Sequence, residues 1–262
     1  MPSPDVPIRV EFSVEVDAPP EAVWEAIATS GGLTSWFLPT DMEEREGGAL
    51  VTHMGETDAP GTITGWDPPR RLVYEEPDWA GLMGHAGADV TPLVSEFLVE
   101  ARSGGTCVVH VVSSAFGTGA DWEQEVIDGM AEGWVPFFEH LRLYLAHFAG
   151  DRAITFTVDT KFAAPAERVR AAMRRLLGSA AVGDTVEVDG RSMVVEQVEP
   201  APLVRFDHPL AGFVRCWAWD ADAGSAAQVL GYLFGGADQG AVDAERKVWS
   251  RLLDSLDAEV TP

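Results

Sequence analysis

The sequence predicts an α+β chain made of two tandem copies of one unit, each a run of strands closed by a long helix. Three observations carry this. Short segments of strict apolar–polar alternation fill the first half. The longest apolar stripe at helical spacing closes that half, over residues 121–148. The same landmarks then return in the same order, the signature of an internal repeat.

Residues 8–16 place Val10, Phe12, Val14 and Val16 on one face and Arg9, Glu11, Ser13 and Glu15 on the other, as in a half-buried strand. Asp17 stands where a helix N-cap belongs, and the prolines after it suit a first turn whose N–H groups lack partners. Val23, Trp24 and Ile27 mark a short amphipathic helix closed by Gly31-Gly32, and Leu33 to Phe37 a second helical turn ended by Pro39. Strands follow over 49–54, 61–66 and 71–75, with Asp67-Pro68-Pro69-Arg70 as a turn. The glycine-rich residues 77–92 read as a mobile loop. Residues 93–101 and 106–113 read as a hairpin about Ser103-Gly104-Gly105. Over 121–148, Val126, Met130, Trp134, Phe137, Leu141, Leu145 and Phe148 form a wide stripe, thinned by Gly129 and Gly133, with a kink or a broken hydrogen bond expected at Pro136. A helix so apolar on one side has a sheet to cover.

The second copy is read from three echoes. Residues 17–23 return at 163–169, residues 67–77 at 199–209, and Trp134 with Phe137, Phe138 and Leu141 at Trp249 with Leu252, Leu253 and Leu256. The separations are 146, 132 and 115 residues, so the second copy has lost 14 residues and then 17 more. The boundary falls at Ala149-Gly150-Asp151, giving a full domain over 1–150 and a shortened, degenerate one over 151–262.

Charge and composition exclude several classes. With 18 Lys and Arg against 42 Asp and Glu, the net charge is −24, which phosphate backbones and anionic membranes repel. No apolar run reaches the ~20 residues of a membrane span, and the first residues lack the pattern of a signal peptide, so a cytoplasmic location is expected. Cys107 and Cys216 have neither disulfide nor metal spacing and read as buried thiols. No dinucleotide fingerprint, Walker loop or nucleophile elbow occurs, so no cofactor and no catalytic residue is assigned.

The segments VEVDAPPEAVWEAI, LTSWF, GTITGWDPPRRLVYE and EGWVPFFEHLRLYL resemble the SRPBCC superfamily, with its START-like, helix-grip fold. The resemblance is closest to the family named for the activator of the ninety-kilodalton heat-shock chaperone's ATPase. It covers residues 8–148 well and 153–258 as a shortened copy. It implies an antiparallel sheet wrapped round the long helix and a cavity for an apolar ligand. Relatives include binders of lipids, sterols, polyketides or hormones, cyclases and co-chaperones.

Candidate ligand-binding residues follow from the need for aromatic walls with a few polar anchors. They are Trp36, Phe37, Trp66, Tyr74, Trp79, Phe97, Trp134 and Phe138, with Phe137 beside them and His53 and His110 as anchors or proton carriers. By the resemblance, Trp36 and Trp79 lie where this fold opens its cavity, and Trp134 lies on the covering helix between two small residues that leave room beside it. Glu43-Glu44 and Glu75-Glu76 read as exposed faces, and Arg70-Arg71 as a solvated turn. Glu123 and Glu125 suit the positive end of the long helix. Gly117-Thr118-Gly119 is a weak phosphate-loop pattern. His140 and His147 share a helical face without a third metal ligand, so no metal site is expected.

The expected function is the binding of a hydrophobic small molecule in the first domain, whose cavity is expected to exceed any in the second. The alternatives are a co-chaperone-like interaction module and a small cyclase- or aromatase-type enzyme using a pocket histidine. The strand around Phe213, Trp217 and Trp219 is apolar on both faces, which makes the second domain a scaffold or a homodimer contact.

Overall fold

The structure is a computed structural model that describes residues 5–260. The chain divides after Asp151 into two compact units.

The first unit runs β1 (Val6–Val16), α1 (Pro20–Ala28), α2 (Ser30–Thr34), β2 (Thr40–Met42), β3 (Ala49–Met54), β4 (Thr57–Asp67), β5 (Arg71–Glu76), α3 (Trp79–Leu82), β6 (Leu93–Ala101), β7 (Cys107–Gly117) and α4 (Asp121–His147). Its seven strands form one antiparallel sheet in the order β1-β7-β6-β5-β4-β3-β2. The alternation of β1 buries Ile8, Val10, Val14 and Val16. Opposite them on β7 lie Ala115, Ser113, Val109 and Cys107. α4 packs along β1 and is tied to it by the Arg142 guanidinium, which donates to the Glu15 carbonyl at 3.0 Å.

Three local readings are corrected. Asp17 does not cap α1: the helix starts after Pro19, two residues later, with no side-chain cap, and Asp17 is exposed. Gly31-Gly32 do not end α1 but lie inside α2. There the Thr29 hydroxyl accepts from the Gly32 N–H at 2.9 Å and donates to the Glu25 carbonyl at 2.8 Å. A Cβ on Gly32 would collide with that carbonyl, so α2 lies on α1 only because residue 32 has no side chain. Residues 77–92 are a pinned segment rather than a mobile loop. They hold α3, and the buried Trp79 indole donates to the Thr91 carbonyl at 2.9 Å. α4 contains Pro136 yet is a single helix.

The second unit runs β8 (Ile154–Phe162), α5 (Ala166–Leu176), β9 (Thr185–Val188), β10 (Arg191–Gln197), β11 (Leu203–Phe206), β12 (Gly212–Ala221), β13 (Gly224–Leu233) and α6 (Gln239–Val260). Its antiparallel order, β8-β13-β12-β11-β10-β9, repeats that of the first sheet strand for strand. Among the described residues it has no counterpart of α2 and β2. Its core gathers Phe156, Val169, Met173, Val195, Trp249 and Leu253. Val214 and Cys216 belong to that core, while Phe213 and Arg215 alternate onto the other face of β12 and are fully buried too. That face is thus not purely apolar: Arg215 donates to the Gln197 side-chain oxygen at 2.7 Å and the Ala201 carbonyl at 3.2 Å. Both units are α+β with an antiparallel sheet and a long last helix.

Candidate functional site

The face of the first sheet that meets α4 is lined with rings. On it, Phe97 of β6 lies edge-on to Trp134 of α4 at 5.9 Å, and Tyr74 of β5 stacks on Phe97 at 6.2 Å. Trp134 stacks on Phe37 at 5.1 Å and on Phe138 at 5.6 Å. Phe37 also meets Trp36 and Phe137. Six of the predicted aromatics therefore share one network: Trp36, Phe37, Tyr74, Phe97, Trp134 and Phe138. Two predicted ones do not join it. Trp66 lies edge-on to Trp24 of α1 at 5.1 Å. Trp79 packs with Trp122, which stacks on His85 at 4.1 Å. Trp36 is completely buried, its indole donating to the Ala26 carbonyl at 2.9 Å.

α4 is not uniformly covered. From Phe138 onward its inner stripe is buried at Phe138, Leu141, Tyr144 and Leu145. Earlier, Val126, Ile127, Met130, Trp134 and Phe137 are only half-buried. The first part of the stripe is therefore incompletely packed.

Facing it, the sheet carries polar groups in its interior. Ser95 and Ser113 are paired across β6 and β7, and their hydroxyls lie 2.9 Å apart, buried. The Tyr74 side chain hydrogen-bonds Ser95 from β5, and burial together with the nearby Glu76 carboxylate raises its phenol well above the usual value. Glu76 follows on the same face by strand parity with Leu72 and Tyr74, and it is half-buried. Burial pushes its carboxyl up to about 7. Glu75 and Glu76, expected to be exposed, are both half-buried, and parity with Leu72 and Tyr74 puts Glu76 on the inner face.

The histidine anchors are corrected too. On β3, Leu50 and Thr52 turn inward, so His53 turns outward. Its ring nitrogens meet Asp58 at 2.7 Å and Asp41 at 3.1 Å, and these bonds raise its pKa. On β7, Val109 and Val111 turn inward, so His110 turns outward, 3.4 Å from Glu100. Neither histidine belongs to the ring-lined face. His140 of α4 does lie in the interior, where its Nδ1 is 3.2 Å from the Trp36 carbonyl.

The Gly117-Thr118-Gly119 loop already holds an anion, the chain's own Glu123. Its carboxylate accepts the N–H groups of Thr118 at 2.9 Å and Gly119 at 2.8 Å and the Thr118 hydroxyl at 3.0 Å. Burial works against the charge, but these bonds outweigh it and hold the carboxyl below its usual value. Both cysteines are buried, and burial pushes the Cys216 thiol up to about 12. Among the described residues no three His, Cys, Asp or Glu side chains converge as metal ligands. No helix of the described residues is long and apolar enough to cross a membrane.

The second unit has a half-open groove of about 510 Å³, lined by residues that include Arg191, Ser192, Arg205, Phe206 and His208. Its arginines are already engaged. Arg191 binds Glu245 at 2.6 and 2.7 Å, and Arg205 binds Glu196 at 2.9 Å and Asp207 at 3.4 Å.

An antiparallel sheet closed by a long C-terminal helix across a ring-lined face is a START-like, helix-grip arrangement. Residues 17–146 match the family model described as Activator of Hsp90 ATPase homolog 1-like protein. Among solved structures, the di-domain ARO/CYC BexL from the BE-7585A biosynthetic pathway is 16% identical at a TM-score of 0.42, covering 97% of this chain and 99% of that one. CalU16 from Micromonospora echinospora is 19% identical at 0.41, covering 53% and 76%. The Aha1 dimer from Colwellia psychrerythraea is 15% identical at 0.43, covering 54% and 98%. At these scores none of the three carries a functional argument. No curated protein matches the sequence.

Proposed function

We propose that the first unit binds a small, largely apolar molecule between the first half of α4 and the ring-lined face of the sheet. One observation carries the reading. The apolar stripe of α4 is buried after Phe138 but only half-buried at Met130, Trp134 and Phe137, opposite a sheet face that carries Tyr74, Ser95 and Ser113 in its interior. A ligand seated there covers the stripe and meets the hydroxyls, the mixture of apolar wall and few polar anchors that small-molecule sites use. A cyclase-type reaction through His53 or His110 is set aside, because both side chains turn away from this face. The family match favours a second reading, a module that docks on a chaperone.

The test is a titration of the full chain with the uncharged dye N-phenyl-1-naphthylamine, read by energy transfer from tryptophan. Saturable binding at one site is expected. Met130→Trp, which enlarges a half-buried side chain of the α4 stripe, should remove that binding while leaving the melting temperature in place. Absence of saturable binding, or unchanged binding by the M130W chain, would overturn the proposal and leave the docking module as the better reading.

A further inference from the structure

We infer that the molecule taken by this interior is an organic cation, an apolar skeleton bearing one protonated amine, and that the Glu76 carboxylate receives the amine. The inference rests on the ligand-binding reading above and adds the chemical class.

Glu76 ends the inward series of β5. Its neighbours on the same face are Leu93, paired with it on β6, and Gly61 of β4. A Cβ on Gly61 would lie 3.4 Å from the Glu76 Cγ, so glycine at this position leaves room beside the carboxylate. Among the described residues no cation and no hydrogen-bond donor reaches its oxygens. The half-buried carboxylate is partly withdrawn from water and has no partner, which disfavours its charge without the cost of full burial. Here the protein supplies no counter-charge.

The surrounding titratable groups do not supply one either. On the sheet face itself the neighbour is Tyr74, which burial keeps neutral. Glu96 turns to the other face, where it binds Arg71, and His110 turns there too. On α4, Glu123 is held by the Thr118-Gly119 loop and His140 lies against the Trp36 carbonyl. What does lie nearby is neutral and favourable to a cation. Tyr74, Phe97 and Trp134 form a continuous run of ring faces and edges, and aromatic faces attract alkylammonium groups. A net charge of −24 raises the local concentration of cations over the whole surface. The elevated carboxyl of Glu76 is the expected mark of an acid waiting for such a partner.

The experiment compares two probes of one skeleton, 2-(1-naphthyl)ethylamine and 2-(1-naphthyl)ethanol, at pH 8, by calorimetric titration of the full wild-type chain and of Glu76→Gln. The expected result is that the amine binds roughly tenfold tighter than the alcohol in the wild type, the usual margin of a charge-assisted hydrogen bond. In E76Q that ratio should fall to about one with the alcohol unchanged, which also shows that the variant is folded. Equal binding of both probes by the wild type would overturn the cation inference and leave the ligand-binding reading standing. A preference that survives in E76Q would overturn the role of Glu76. Failure of both probes to bind the wild type would remove the underlying reading and this inference with it.

Discussion

The Phe37 ring lies parallel to the Trp134 indole, 5.1 Å away and within 6° of coplanar. This contact joins the segment after α2 to the half-buried part of α4. Replacing either residue by alanine should cost about 2–4 kcal/mol, since a large side chain is truncated at a partly buried site. The double variant should show a coupling of about 1 kcal/mol, the usual excess of an aromatic pair. Urea unfolding followed by tryptophan fluorescence measures the cycle. Strictly additive costs would mean that the two rings touch without supporting each other.

Glu76 makes a pH prediction of definite sign. Its carboxyl is at about 7 in the folded chain against an ordinary 4.5, so folding favours the protonated form. The stability it contributes is fully present below pH 4.5, declines between pH 4.5 and 7, and is gone above pH 7. The limit set by the shift is about 3 kcal/mol, and the surface that Glu76 retains reduces it. Glu76→Gln should therefore stabilise the first unit at pH 8 and change little at pH 5. Thermal melts at the two pH values decide this, and a variant destabilised at pH 8 would contradict it.

Glu123 carries the opposite sign. Its carboxyl is held below the usual value, so the stability it brings is present above pH 4.5 and is lost as pH falls through the folded value. Glu123→Gln should cost about 1–2 kcal/mol at pH 7, the range for a lost helix cap or charged hydrogen bond. Near pH 3 the two chains should converge. Amide exchange at one of Thr118 and Gly119 should accelerate in the variant, because glutamine keeps one acceptor oxygen and turns an NH2 group toward the other N–H.

In the second unit, Glu245 of α6 and Arg191 of β10 form a nearly buried ion pair. Glu245→Gln should destabilise this unit by about 3 kcal/mol by leaving the guanidinium without its charge partner. The double change Arg191→Met with Glu245→Leu should recover most of that loss. Denaturant unfolding of the three chains checks both statements.

The elements of period and length were legible: β1 from Val10, Val14 and Val16, and α4 from Met130, Trp134, Leu141 and Leu145. The repeat was legible as well, because turn prolines and a closing tryptophan return in order. What escaped was set by neighbours in space. Three residues, Thr40 to Met42, cannot display a period, so β2 was invisible. Trp79 stands in a glycine-rich stretch, and only its bond to the Thr91 carbonyl reveals that the stretch is pinned. The site was legible in its rings and misread in its polar groups. His53 and His110 stand in strands whose inward parity, Leu50 with Thr52 and Val109 with Val111, turns both of them outward. The same parity, carried from Leu72 through Tyr74, points to Glu76.

On one side each sheet finishes on a very short strand, β2 with three residues and β9 with four. A backbone edge of that length offers another chain only a few free N–H and carbonyl groups to extend, and long flat edges are what seed fibrillar assembly. For a chain that is 46% hydrophobic, such a blunt margin limits self-templated pairing on that side of each sheet, the opposite margins being the longer β1 and β8.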